Sequence, residues 1–213
     1  MTFNIAEYNK INSFIEKNSK KTVKIIAISK NHPISSIEKA VSDGVRIFGE
    51  NRVQEAINKF NIIKTQYEDL ELHLTGSLQT NKVKQALEIF DTFQTLDRVK
   101  LALEFSKYPN IIKNKFFFVQ INTGAEINKS GISLGEANKF IKYCKFDLKI
   151  NVVGLMCIPP VKENPTNHFN LLKKIAFENN LFHLSMGMSS DYKEGVLSGA
   201  TYVRVGTKLF GSR

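Results

Sequence analysis

The apolar residues of this chain follow two different periods. Eight short runs rich in β-branched and aromatic residues recur roughly every 20 to 35 residues, and such runs are typical of buried strands. The segments between them have apolar residues three or four positions apart, as at Ile34, Ile37 and Val41, which predicts amphipathic helices. The eight predicted strands lie at 23–29, 46–49, 70–75, 92–96, 115–122, 150–158, 181–186 and 201–205.

Strands that alternate with helices pair in parallel, because each helix returns the chain to the same end of the sheet. The continuous apolar run at 116–119 indicates that the strands are buried on both faces. Eight such units can close on themselves, so we predict an α/β fold with a single (β/α)8 TIM-type barrel over residues 1–213. An open doubly wound sheet is the alternative, but no G-x-G-x-x-G follows the first strand.

The first residues predict an extra helix outside the eight repeats. Tyr8, Ile11 and Ile15 lie on one face of this helix. Little chain remains for a helix after the last strand, so we expect the N-terminal helix to cover that part of the barrel instead.

The composition narrows the class of protein. With 213 residues, 42% of them hydrophobic and 23% charged, the chain has enough apolar side chains for a substantial core, which excludes a disordered or coiled-coil protein. The formal net charge is +10, but most of the basic residues are lysines spread along the whole chain, and no nucleic-acid-binding motif accompanies them. We therefore expect no nucleic-acid partner.

Membrane and export signals are also missing from the sequence. No apolar run reaches the roughly 18 residues that a membrane span needs, and the N-terminus lacks the basic-then-apolar order of a signal peptide. The two cysteines, Cys144 and Cys157, form neither a disulfide framework nor a metal-binding set. We expect a cytoplasmic protein with no membrane partner, and a monomer, which is the default for one covered barrel.

In a barrel of this kind the chemistry lies where strands end and loops begin. Gly187 and Ser189 follow the seventh predicted strand, and Gly206 and Thr207 follow the eighth. Loops at these two places often bind phosphate with backbone N–H groups and hydroxyls. The four residues together predict a phosphate site, although each one alone is also typical of an ordinary turn or helix cap.

A lysine, Lys30, ends the first predicted strand. Barrel closure makes strand one the neighbour of strand eight, so Lys30 lies beside the predicted phosphate site. An amine that loses solvent there can attack a carbonyl and form a Schiff base, whereas the alternative is a lysine that faces solvent or pairs with Glu50. A lysine beside a phosphate site suits pyridoxal 5′-phosphate, which has an aldehyde at one end and a phosphate at the other.

Arg204 adds a third element to this hypothesis. It lies two residues before Gly206 on a strand and therefore shares its face, which points into the site. An arginine cannot give up its proton, so beside a pyridine nitrogen it would keep that nitrogen unprotonated and disfavour transaminase-like chemistry. An ion pair between Arg204 and Glu50 is the structural alternative, and both interpretations can hold together.

Several long ungapped blocks of this sequence resemble one family. On these blocks the chain resembles the pyridoxal phosphate homeostasis proteins, which are similar in fold to the N-terminal barrel of alanine racemase. The resemblance spans nearly the whole chain and implies pyridoxal 5′-phosphate as the cofactor. The matching blocks are residues 27–30, 48–55, 73–82, 97–98, 120–122, 129–131, 154–156, 184–189 and 203–207.

The resemblance also implies eight cofactor-binding residues and no metal ligand. Their implied roles are Schiff-base formation for Lys30, contact with the ring nitrogen for Arg204, pocket lining for Asn51, His73 and Met156, and phosphate binding for Ser189, Gly206 and Thr207.

For function, the resemblance implies a non-catalytic protein that buffers pyridoxal 5′-phosphate and hands it to apo-enzymes. A weak amino-acid racemase is the alternative, but we expect no counterpart of the second racemase domain after Arg213. A phosphosugar enzyme that needs no Schiff base is a further alternative. Racemisation needs two bases on opposite faces of the substrate, and besides Lys30 the sequence singles out none of Tyr8, His73, Tyr192 and Tyr202.

Overall fold

The computed structural model of this chain describes residues 2–211, and its eight parallel strands close into a barrel. Strands that are neighbours along the chain pair with each other, and the last strand pairs with the first. The predicted domain of residues 1–213 also includes Met1, Ser212 and Arg213, which lie outside the described residues. The strands are β1 (Lys24–Ile28), β2 (Ile47–Glu50), β3 (Glu71–Leu74), β4 (Thr92–Leu96), β5 (Phe116–Ile121), β6 (Val152–Cys157), β7 (His183–Met188) and β8 (Tyr202–Val205).

Helices connect the strands on the outside of the barrel. No helix within residues 2–211 is long and apolar enough to cross a membrane. Short 3₁₀ turns at Thr80–Lys82 and Leu134–Glu136 and a π-helical turn at Tyr143–Asp147 complete the helical segments of the described chain. The α-helices are α1 (Ile5–Asn18), α2 (Ile34–Ser42), α3 (Val53–Gln66), α4 (Val83–Ile89), α5 (Val99–Ser106), α6 (Pro109–Ile112), α7 (Ala137–Lys142), α8 (Pro165–Glu178), α9 (Tyr192–Leu197) and α10 (Thr207–Phe210).

The hydrophobic pattern explains why these segments form these elements. In α2, Ile37, Ala40 and Val41 are spaced at the helical period, and all three are buried against the barrel. The middle of β5 is buried on both faces, because one face packs against the helices and the other lines the barrel interior. The predicted (β/α)8 barrel is therefore confirmed.

The N-terminal helix lies where it was predicted to lie. Ile11 and Ile15 of α1 are buried, and α1 packs against α9 and the short α10 that follows β8. The segment before α1 is held there too, since the Asn4 N–H donates to the Leu209 carbonyl at 2.8 Å and the Phe3 ring packs on Phe210. The chain thus closes the last position of the helical layer with its first helix.

The barrel interior is mixed in character. Ile26, Ile28, Phe118, Met156 and Tyr202 form an apolar cluster inside it. Buried polar side chains from other strands share this interior, so that the two mouths of the barrel are separated by a partly polar core. We call the end of the barrel where the strands begin the amino mouth, and the end where the strands finish the carboxyl mouth. Four of the polar residues inside the barrel are joined by hydrogen bonds: His73, Gln94, Ser185 and Arg204.

Candidate functional site

A pocket of about 500 Å³ opens at the carboxyl mouth, and we call it the Lys30 pocket. Six of the eight sequence-predicted site residues line it. The full lining is Ile28, Lys30, Asn51, Thr75, Ile158, Met188, Ser189, Ser190, Arg204, Gly206, Thr207 and Lys208.

The turn that presents Lys30 is fixed on both sides of that residue. Lys30 follows the end of β1 by two residues and is half-buried. Before it, the Ser29 carbonyl accepts a hydrogen bond from Lys59 Nζ at 2.9 Å, and after it, the Asn31 N–H donates to Glu55. Asn31 has φ 62°, a left-handed conformation that asparagine tolerates better than most residues. The amine is therefore attached to a rigid backbone.

A buried ionic cluster beneath this turn holds it, and we call Ser29, Glu50, Glu55 and Lys59 the Lys59 cluster. The Glu50 side chain is 0% exposed, and its Oε1 accepts from Ser29 Oγ at 2.7 Å and from Lys59 Nζ at 3.1 Å. Burial raises the pKa of Glu50, even though the Ser29 hydroxyl and the Lys59 charge both act to lower it.

Sequence reasoning missed Lys59. The signal was available, because Lys59 lies at the helical period with the core residues Ala56, Phe60 and Ile63 on the buried face of α3. A lysine at such a position requires a buried partner.

Arg204 lies on β8 and is buried at the floor of the pocket. Its Nη1 donates to Ser185 Oγ at 2.7 Å and its Nη2 to the Cys157 carbonyl at 2.8 Å. The alternative of an ion pair between Arg204 and Glu50 is therefore wrong, since Glu50 faces the Lys59 cluster instead. Burial lowers the pKa of Arg204 from its ordinary value, but an arginine stays protonated in proteins.

The loops after β7 and β8 meet at one hydrogen bond. The Gly206 N–H donates to Ser189 Oγ at 3.2 Å, so the Ser189 hydroxyl proton remains available to a ligand. Gly187 has φ 93°, which favours glycine, and this conformation turns the chain from β7 toward Ser189. Thr207 and Lys208 follow Gly206 directly and add a hydroxyl and a second amine to the same side of the pocket.

Asn51 is oriented by its neighbour on β3. The Thr75 Oγ1 donates to Asn51 Oδ1 at 2.9 Å, so the Asn51 side chain presents its N–H₂ group as the remaining donor. The loop after β2 also packs tightly on Gly76, where a Cβ would overlap the Asn51 carbonyl oxygen. These contacts fix Asn51 at the pocket wall.

The other two predicted residues lie deeper. His73 and Met156 are fully buried inside the barrel and are absent from the described lining of the Lys30 pocket. Their assignment as pocket residues stays a prediction.

The charged side chains that line the Lys30 pocket are all positive. Lys30, Arg204 and Lys208 are cationic, and no described lining residue is acidic. Such a pocket attracts anions, and its hydroxyl and amide donors suit the oxygens of a phosphate. Within residues 2–211 there is no cluster of three or more His, Cys, Asp or Glu side chains that could hold a metal ion.

Comparison with known proteins agrees with the geometry. Residues 7–213 match the family model of the alanine racemase N-terminal domain. The pyridoxal phosphate homeostasis protein of Aquifex aeolicus is 37% identical over 202 residues, which cover 89% of this chain and 87% of the relative. PipY of Synechococcus elongatus without pyridoxal phosphate is 34% identical with a TM-score of 0.86, and the match covers 97% of this chain and 99% of PipY.

A second structure of PipY, with pyridoxal phosphate bound, is 32% identical with a TM-score of 0.82, and the match covers 96% of this chain and 100% of PipY. The alanine racemase of Corynebacterium glutamicum is only 13% identical, with a TM-score of 0.72, and matches 97% of this chain but 60% of the racemase. That likeness shows a shared fold alone.

The closed parallel barrel, with a lysine and an arginine at its carboxyl mouth, defines the class of the alanine racemase N-terminal domain. Within that class the chain belongs to the pyridoxal phosphate homeostasis protein family, since its relatives are similar over most of both chains.

Proposed function

We propose that this chain binds pyridoxal 5′-phosphate in the Lys30 pocket and acts as a non-catalytic carrier that buffers this reactive aldehyde. The names of the relatives and the PipY structure with pyridoxal phosphate bound support the choice of ligand. The proposal depends most on one observation in this chain: Lys30 and Arg204 line one pocket in which no described residue is a carboxylate.

The donor set of the pocket fits the phosphate. Ser189 and Thr207 offer hydroxyls, and Gly206 leaves room for close approach to the backbone, because it lacks a side chain. Lys208 adds a positive charge on the same side. We assign the phosphate to this end of the pocket.

The two remaining groups fit the other end of the ligand. The Lys30 amine would condense with the aldehyde, with loss of water, and so hold the ligand covalently. Arg204 would face the pyridine nitrogen and keep it unprotonated, because a guanidinium does not give up its proton. Bound pyridoxal 5′-phosphate supplies an electron sink for amino-acid chemistry, and an unprotonated nitrogen weakens that sink.

The carrier is favoured over a racemase by the residues around the pocket. Racemisation needs a base on each face of the substrate. Apart from its two lysines, the described lining includes no side chain of the usual general bases, neither tyrosine, histidine nor carboxylate. Tyr202, one of the candidates for a second base, lies at the amino mouth instead. We further propose that the ligand is passed to apo-enzymes by a monomeric, cytoplasmic protein.

The test is to titrate the purified protein with pyridoxal 5′-phosphate, reduce it with borohydride and map the modified residue by mass spectrometry. We expect a yellow protein that is modified at Lys30 and shows no racemisation of a panel of amino acids. Lys30→Ala is expected to lose the colour and the modification.

Lys208→Ala is the matched control, because Lys208 is the second lysine of the pocket. It is expected to keep the modification at Lys30 while binding more weakly through loss of one charge. A colourless wild type, or equal labelling of Lys30→Ala, would contradict the proposed ligand; measurable racemisation that depends on Lys30 would contradict the carrier role.

A further inference from the structure

A row of hydrogen-bonded side chains lies inside the barrel beneath the Lys30 pocket. Arg204 Nη1 donates to Ser185 Oγ at 2.7 Å, and Ser185 Oγ donates to Gln94 Oε1 at 2.6 Å. Ser185 and Gln94 are both fully buried. The first half of the row therefore leads from the pocket floor into the centre of the barrel.

The second half leads from the centre to the amino mouth. Gln94 Nε2 contacts His73 Nδ1 at 2.9 Å, and His73 Nε2 contacts Glu71 Oε1 at 2.8 Å. Glu71 lines a cavity of about 350 Å³ at the amino mouth, where Lys24 Nζ lies 3.5 Å from its Oε2. We call the five residues from Arg204 to Glu71 the interior chain, and it joins the two mouths of the barrel.

The two ends of the interior chain determine the direction of every hydrogen bond in it. Arg204 can only donate, and an ionised Glu71 can only accept. Ser185 must therefore accept from the guanidinium and donate onward. The Gln94 amide then places its oxygen toward Ser185 and its N–H₂ toward His73, and His73 holds its proton on Nε2.

Arg204 is a buried charge: burial lowers its pKa, and the carboxylate of Asp191 acts on it through space to raise that pKa. The two acceptors of Arg204, a serine hydroxyl and a backbone carbonyl, are both neutral, and Arg204 forms no ion pair within residues 2–211. All the intervening donors point from Arg204 toward Glu71, so the row of dipoles connects the positive end with the negative end. Arg204 is thus held without a carboxylate in the pocket that would repel an anionic ligand.

We propose that the interior chain, with Glu71 as its fixed accepting end, positions the Arg204 guanidinium for the ring of the bound ligand. Glu71, His73, Gln94 and Ser185 are then positioning residues, which touch one another or Arg204 and not the ligand. The part of this inference that concerns the ligand rests on the proposed function.

The sign of one affinity change tests the proposal. A Glu71 that acted only through its negative charge would repel the phosphate, so Glu71→Gln would tighten pyridoxal 5′-phosphate binding. A Glu71 that fixes the chain has the opposite effect, since its loss frees Arg204. We expect Glu71→Gln to weaken binding about fivefold, measured by absorbance titration, which is a typical size for one disturbed hydrogen bond.

Two further variants test whether Glu71 acts through the interior chain or through its other contacts. Thr92→Val removes another donor to the same Glu71 oxygen, at 3.1 Å, and leaves the chain intact, so its affinity should stay within about twofold of wild type. Ser185→Ala interrupts the chain next to Arg204. In that background Glu71→Gln should have almost no further effect on affinity.

A measurement without the ligand tests the chain itself. ¹⁵N NMR of the cofactor-free protein at pH 8 should show His73 as the Nε2–H tautomer. Glu71→Gln should give a mixture of tautomers, because a glutamine can both donate and accept. Thr92→Val should keep the wild-type tautomer.

The outcomes are distinguishable. An Nδ1–H tautomer in the wild type, tighter binding by Glu71→Gln, or equal effects of that substitution with and without Ser185 would each overturn the proposal. A wild type that binds no pyridoxal 5′-phosphate would overturn the proposed function and the role of the interior chain toward the ligand. The His73 tautomer would still test the direction of the hydrogen bonds in the interior chain. Cooperative thermal unfolding of each variant verifies that it is folded.

Discussion

Within residues 2–211 one lysine and one arginine are buried, Lys59 and Arg204, and they contact different kinds of acceptor. Lys59, outside the barrel wall, contacts Glu50 at 3.1 Å and Glu55 at 2.6 Å. Arg204, inside the barrel, contacts only neutral acceptors and is linked to Glu71 through three other side chains. Lys59 is paired with carboxylates by contact, whereas Arg204 meets neutral acceptors and the carboxylate of Asp191 acts on it through space.

The difference between the two cations matches their tasks. Lys59 contacts two carboxylates and the Ser29 carbonyl, and with Glu55 it fixes the backbone on either side of Lys30. Arg204 has two of its five N–H groups fixed, and it still lines the Lys30 pocket. Direct contacts with carboxylates let Lys59 hold the backbone in place. Neutral acceptors leave the charge of Arg204 available to a ligand.

The largest effect is expected for Lys59→Met, which leaves Glu50 buried without its cation. We expect a loss of about 3–5 kcal/mol in the free energy of unfolding, as for other broken buried ion pairs. Urea unfolding measures it. Lys64→Met is the matched control on the same helix, because Lys64 pairs with Asp91, whose side chain is 33% exposed, and it should cost about 1 kcal/mol or less.

Equal losses for the Lys59 and Lys64 variants would remove the basis for treating the Lys59 cluster as a buried pair. The double variant Lys59→Met with Glu50→Gln should recover part of the loss, because it removes the unpaired carboxylate as well.

A smaller loss of stability is expected for Arg204→Met, about 1–3 kcal/mol, since no carboxylate in direct contact is left unpaired. The same urea titrations measure it. Its effect on pyridoxal 5′-phosphate affinity should nevertheless exceed that of Lys59→Met. A larger loss of stability for Arg204→Met than for Lys59→Met would contradict this contrast between the two cations.

The ionised Glu71 carboxylate is expected to stabilise the protein in a way that depends on pH. Burial alone would raise the pKa of Glu71, but the contact with His73, the charge of Lys24 and a hydrogen bond from Thr92 lower that pKa from 4.5 to about 2. A carboxyl whose pKa is lower in the folded state stabilises the protein above its unfolded pKa. That contribution is lost as the pH falls from about 4.5 to about 2.

The free energy of unfolding of the wild type should therefore exceed that of Glu71→Gln most above pH 4.5, and the two should converge near pH 2. Urea titrations across this range measure the difference. If the difference in the free energy of unfolding between wild type and Glu71→Gln did not change with pH, Glu71 would act through its shape and not its charge. His183 and Tyr202 also line this mouth, and the charge of Glu71 acts to raise the pKa of each of them.

The smallest effect is expected at the two cysteines. Burial raises the pKa of both Cys144 and Cys157 to about 12, although Arg204 lies near Cys157 and acts to lower its pKa. Both thiols should react slowly with iodoacetamide at pH 8 until the protein is unfolded. A fast Cys157 in the native protein would show that the guanidinium charge is poorly compensated.

The sequence predicted much of this molecule because the relevant signals are local. Each strand is a continuous apolar run between turn residues, so all eight strands were placed correctly within a few residues. Barrel closure then brought Lys30, Gly206 and Thr207 together, since β1 pairs with β8. The residues at strand ends were therefore predictable.

Partners across the barrel were not predictable in the same way. Arg204 was paired with Glu50 as an alternative, yet its acceptors come from β6 and β7. The contact between Ser185 and Gln94 joins residues 91 positions apart, and the choice of rotamer and of facing partner leaves no periodic trace in the chain. The identity of the polar interior thus required coordinates.

The seam between β1 and β8 has a consequence for biosynthesis. Register pairs such as Ile26 with Arg204 join the first strand of the barrel to be synthesised to the last strand of the barrel. A nascent chain that already exposes Lys30 has no Arg204 beside it, so the pocket does not exist until the final strand is inserted. The pocket therefore assembles only when the barrel closes, and a ligand that enters the pocket meets a closed barrel and not a folding intermediate.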